Sequence, residues 1–152
     1  MTLVLFFFVQ LTLLVISIRM FYKKRKLFTN RFSMIMSITF SSVWSLQLSL
    51  LLFMISLKNT PTLWGIVVLL GASIGTIFGS MSKFHSLIAG FSHGVIGAMM
   101  GASLAAVILD PSICSLPINY ATTVEQNLLV ISTFGLCISV TTFGVMFYSL
   151  KV

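Results

Sequence analysis

The chain has 152 residues, of which 58% are apolar and only 7% charged, and its mean hydropathy is +1.12. A water-soluble domain of this size carries about a quarter of its residues as charges, so the composition excludes an independent soluble enzyme or binding module. The net charge of +7 does not indicate a nucleic-acid binder either, because five of the nine basic residues (Lys23, Lys24, Arg25, Lys26 and Arg31) fall in one short break between apolar runs. A nucleic-acid site needs a basic face on a folded surface, whereas a juxtamembrane cluster lies against anionic head groups and sets topology.

Several apolar runs of about 20 residues, each long enough to cross a bilayer as a helix, define an all-α integral membrane protein. It forms a single membrane domain with five transmembrane helices. The first, about 3–21, starts in "MTLVLFFFVQLTLLVISI" with no charge ahead of it and "YKKRK" behind it. A signal peptide has the reverse order, so a retained helix is expected. The second runs over about 32–57, with Asn30 as a cap. The third, about 61–80, opens on "TPTLW", where Thr60 can cap and Pro61 suits the first helical position. The fourth, about 86–109, is stopped by Asp110 and Pro111. The fifth, about 123–150, follows Thr122 and Glu125 at capping-box spacing, which leaves an extracytoplasmic loop over 110–127.

Eight basic residues lie on one side of this topology (Arg19, Lys23, Lys24, Arg25, Lys26, Arg31, Lys83 and Lys151), and Lys58 alone lies on the other, with both acids, Asp110 and Glu125. The positive-inside rule then predicts the N-terminus outside and the C-terminus in the cytoplasm. The expected location is a cytoplasmic membrane, with the lipid bilayer as the first partner. Cys137 falls inside the fifth span and Cys114 in the long loop, a difference in depth too large for a disulfide within one chain.

The third span carries Gly71, Gly75 and Gly79 four apart, and the fourth carries Gly90, Gly94, Gly97 and Gly101 spaced four, three and four. Small-residue stripes let two helix backbones meet in lipid. The index sums of Gly79 with Gly90 and Gly75 with Gly94 are both 169, while Gly71 with Gly97 gives 168 and Gly65 with Ala105 gives 170. A near-constant sum is the mark of an antiparallel pair, so a close hairpin is expected with its turn at "SMSKFHS". Ser37, Ser41, Ser45 and Ser49 form a stripe in the second span, with Gln47 on another face. Ser132, Gly135, Ser139 and Thr142 form one in the fifth. Either interhelical packing with hydrogen bonds of about 0.6–2 kcal/mol each or a hydroxyl-lined path accounts for such stripes.

His93 is the one residue of Asp, Glu, Lys, Arg or His type deep in a span. It flanks the glycine stripe, and Met100, seven residues on, shares its side. With Met81 or His85 near the turn these are candidate soft ligands for Cu(I). The competing reading is an ordinary interhelical hydrogen bond. His85 is placed in the turn, and Met34 and Met36 form a single M-x-M, which copper-handling sequences usually repeat. For catalysis the sequence holds no G-x-S-x-G, H-E-x-x-H, P-loop or C-x-x-C motif, and no enzyme is expected.

"LIAGFSHGVIGAMMGASLAAVIL" (Leu87 to Leu109) resembles the Gly/Met-rich helical hairpin of certain small multi-pass membrane proteins of Gram-positive bacteria, where "GVIGAMMGA" stands for a "GGMMGAMLG"-like run. Some of those proteins carry a cupredoxin-like domain, so the resemblance implies a bacterial membrane and hints at copper. These 152 residues hold no such domain and place Ser and Ala where that pattern has Met and Gly. The expected function is a non-catalytic accessory, assembly or regulatory subunit, acting through helix contacts with another membrane protein or its own copies. The alternative is a small permease or channel for a metal ion or small solute, with His93 and Met100 beside its path.

Overall fold

Within a bilayer no water is at hand to satisfy a free N–H or C=O, so a chain of apolar runs closes its backbone hydrogen bonds inside each run. A computed structural model, which describes residues 2–24, 30–56, 61–81, 84–109 and 124–149, has five helices. They are α1 (Thr2–Lys24), α2 (Asn30–Ser56), α3 (Pro61–Ser80), α4 (Phe84–Leu109) and α5 (Val124–Ser149). Each is long and apolar enough to span a membrane. Exposed side chains are correspondingly bulky and apolar: Leu69, Phe134 and Val145 all turn outward, as lipid-facing residues do.

Several boundaries differ from the sequence expectation by a few residues: α1 runs on to Lys24, and α2 begins at Asn30, which is thus its first helical residue and not a cap ahead of it. α4 begins at Phe84, so His85 lies on its first turn and not in the link. α5 begins at Val124, so residues 124–127 belong to the helix and the loop expected over 110–127 is shorter. The suggested caps Thr60 and Thr122, together with Asp110, Cys114 and Tyr120, lie outside the described residues.

α2 is the centre of the bundle. In its most apolar window 61% of residues are buried, against 17% for α1 and 22% for α5. It packs most extensively on α4, and α3 closes against both. α1 and α5 flank this three-helix core on looser contacts.

Two apolar clusters fill the interior. One joins Phe21 of α1, Phe40 and Trp44 of α2, Ile74 and Phe78 of α3 and Met146 of α5. At its heart Phe21, Phe40 and Phe78 meet pairwise with ring centroids 5.5, 5.8 and 5.8 Å apart, two of the pairs edge to face, as ring quadrupoles prefer. The other cluster lies toward the opposite end. It packs Leu50, Leu51, Phe53 and Met54 against Val67 and the alanines at 98, 102, 105 and 106 of α4, with Trp64 edge-on to Phe53 at 5.4 Å.

Candidate functional site

Between α3 and α4, backbone meets backbone. A methyl group placed on Gly75 would run into the carbonyl oxygen of Gly90, and one on Gly94 into the carbonyl oxygen of Gly71, with the Cα of Gly75 only 3.0 Å away. On Gly90 it would stand 2.6 Å from the Gly75 oxygen and 3.2 Å from the Cα of Gly79, and on Gly79 it would stand 2.6 Å from the Cα of Leu87. None of these neighbours can rotate away, because each belongs to a helix backbone. α3 and α4 therefore meet along Gly71, Gly75, Gly79, Gly90 and Gly94, at a separation that only hydrogen side chains allow.

Gly97 and Gly101 have a different partner. A methyl on Gly97 would strike Ser45 Oγ and lie 2.6 Å from the Ser42 carbonyl oxygen, and one on Gly101 would strike Ser49 Oγ and the Leu46 carbonyl oxygen. Both glycines thus face α2, and the expected pair of Gly71 with Gly97 is replaced by Gly71 against Gly94 and Ala98. Gly65, expected opposite Ala105, has nothing within 4 Å of such a methyl. The physical reason is that α4 lies between two helices: its glycine face is broad enough to serve α3 in its first half and α2 in its second.

The serine stripe of α2 is the missing partner. Ser45 meets Gly97 and Ser49 meets Gly101, and both pairs differ in index by 52. A constant difference, unlike a constant sum, marks parallel helices. The seam closes near the start of α4, where Ser86 Oγ donates to Ser37 Oγ at 2.8 Å, both side chains being buried.

Other hydroxyls turn back on their own helices. Ser41 bonds to the Ile38 carbonyl, Ser45 to Ser42, Ser49 to Leu46, Ser132 to Leu129 and Ser139 to Leu136, at 2.8 to 3.2 Å. Each serine so satisfied behaves as a small, nearly apolar packing unit.

Further buried polar side chains lie on α2 and on α1. Gln47 of α2 is buried, and its carboxamide occupies the space over Gly135 of α5, where any side chain would collide with it. Gln10 of α1 is only 1% exposed, yet neither its Oε1 nor its Nε2 has a hydrogen-bond partner among the described residues, and Trp44 Nε1 is likewise buried and unpartnered. Gln10 escaped the sequence reading. The signal was available: it is a lone carboxamide in the run "LFFFVQLTLL", where a polar group must find protein or bear the cost of desolvation.

The candidate copper ligands do not converge. His93 is half-buried, whereas Met100 is 59% exposed on the outside of α4. His85 is exposed and, eight residues from His93, stands about 12 Å from it along the helix. Met81 packs against the aromatic cluster. Met36 is buried in that same cluster while Met34 is exposed, so the M-x-M pair is divided between two faces of α2. No three residues of His, Cys, Asp or Glu type gather among the described residues. Cys137 is a free, outward-facing thiol on α5.

Compared with models of protein families, with curated proteins and with solved structures, the chain matches none.

Proposed function

We propose that the protein is a non-catalytic multi-pass subunit of a bacterial cytoplasmic membrane, with its N-terminus outside and its C-terminus inside. It acts through helix contacts, as an accessory, assembly or regulatory partner of another membrane protein or of its own copies. The observation that carries this reading is the use of its polar groups. The serines of α2 and α5 close hydrogen bonds to their own helices or, at Ser37 and Ser86, across the α2/α4 seam. The glycines between those helices bring backbones into contact instead of opening a passage. A rigid core with two loosely held, lipid-facing flanking helices suits a protein whose work is contact.

The test is reciprocal affinity purification in a mild detergent. The expected result is one membrane protein recovered with this chain, and this chain recovered with that protein, or a homo-oligomer of fixed size. A monomer that moves a metal ion or small solute in proteoliposomes, and loses that activity on His93→Ala, would replace this reading with the permease.

A further inference from the structure

Between α2 and α5 runs an open groove of about 400 Å³, lined by residues 32–40 of α2 and 141–149 of α5. Its floor is buried and apolar: Met36, Phe40 and Met146. Its lips, Ile35 and Val145, are 61% and 69% exposed. Three threonines line it, but their hydroxyls are already engaged. Thr39 Oγ1 donates to the Ile35 and Met36 carbonyls at 3.1 Å, Thr141 to Ile138 at 2.9 Å and Thr142 to Ser139 at 2.8 Å. They offer the groove methyl groups, not donors, and Ser149 at its end is the remaining hydroxyl residue of the lining, so most of its length is hydrocarbon.

Its dimensions select among apolar occupants. The lining covers eight residue steps of each helix, about 12 Å of rise. That length is close to half of the roughly 30 Å hydrocarbon core of a bilayer, the depth that the acyl chains of one leaflet span. An extended acyl chain of one leaflet ends where the groove ends, whereas a transmembrane helix would run on past it through the other leaflet.

Charge identifies the kind of lipid. The groove starts at Phe32, next to the exposed Arg31, and the short link between α1 and α2 places exposed Arg19 and Lys23 on that same end of the bundle. Both acidic residues of the sequence follow or begin helices at the other end: Asp110 succeeds α4 and Glu125 lies in the first turn of α5. A hydrocarbon slot that opens at a cationic, acid-free rim matches one amphiphile. We propose that the α2/α5 groove is a binding site for an anionic phospholipid, whose acyl chain lies along Met36, Phe40 and Met146 and whose phosphate meets Arg31. This inference is independent of the subunit reading above.

The experiment is native mass spectrometry of the delipidated full chain in detergent, with phosphatidylglycerol and phosphatidylcholine of matched acyl chains as probes, and thermal stability recorded in parallel. One phosphatidylglycerol is expected to remain bound and to raise the melting temperature, with at least a fivefold preference over phosphatidylcholine. Arg31→Gln should reduce that preference about fivefold, the contribution of one basic residue near an anionic surface, and leave chain binding intact. Thr142→Phe, and separately Thr39→Phe, fill the slot and should abolish binding of both lipids; two variants guard against one that fails to fold, and delipidated melting temperature identifies such a case. Equal retention of the two lipids, retention unchanged in both well-folded phenylalanine variants, or binding of inorganic phosphate in place of lipid would overturn the proposal. So would a dimer that the phenylalanine variants dissociate, because the groove would then hold a second copy.

Discussion

The α3/α4 contact and the α2/α5 contact are both built around glycine, yet they respond to a new side chain in opposite ways. At Gly75 the obstacle is the backbone of α4; at Gly135 it is the end of the Gln47 side chain. A backbone neighbour transmits any intrusion to a whole helix, while a flexible carboxamide can turn aside. Glycine count alone therefore says little about how tightly an interface is held. What matters is whether the atom facing the missing Cβ is able to move.

The largest expected effect breaks the tight side of this comparison. Gly75→Ala, or Gly94→Ala, forces α3 and α4 apart and should cost about 3 kcal/mol or more, the upper range for overpacking a rigid interior. Thermal unfolding in mild detergent should register this as a fall several times that of Gly135→Ala, and a melting temperature equal to the parent's would refute backbone contact as the organising feature. Gly135→Ala is the counterpart on the loose side. A loss of about 1 kcal/mol is expected, toward the lower limit for overpacking, and Gln47→Ala should restore the stability of the double variant if the carboxamide is indeed the obstacle.

Gln10→Leu sharpens the comparison from α1. It removes two buried polar atoms that have no partner among the described residues, and a buried group left unsatisfied costs about 1–3 kcal/mol. Denaturant titration in detergent should show the variant to be the more stable protein by about 1 kcal/mol; a loss of stability would mean that the carboxamide is held by hydrogen bonds. The smallest effect is at Gly65, which faces open space. Gly65→Ala should leave packing untouched and raise stability by no more than about 1 kcal/mol, the difference in helix propensity.

Much of the architecture was legible from the chain. Five runs of apolar residues, interrupted by basic clusters, "TP" and "DP", yield five helices long and apolar enough to span a membrane. Across α3 and α4 the structure sets Gly75 against Gly90 as well as Gly94, and Gly71 against Gly94, so contacts fall at an index sum of 165 as well as at 169. The sum misled at Gly97 and Gly101, because it presumes that one glycine stripe has one partner. Their partners, Ser45 and Ser49, sit on a helix running parallel to α4, and parallel pairs keep a constant difference, not a constant sum. Each stripe had been recognised, but the antiparallel sum could not detect the match between them. Gln10 was missed because one polar residue in a hydrophobic run does not break the periodicity that marks a span.

Composition and periodicity by themselves determined that the chain folds as membrane-length helices, since an unpaired backbone polar group is too costly in hydrocarbon for any other outcome. Tertiary structure decided which helix became the centre, that α4 divides its glycines between two neighbours, and where a groove remains between α2 and α5. These are matters of which faces meet. In lipid an apolar side chain is equally well solvated inside or outside the bundle, so the choice rests on how closely backbones and side-chain shapes can approach.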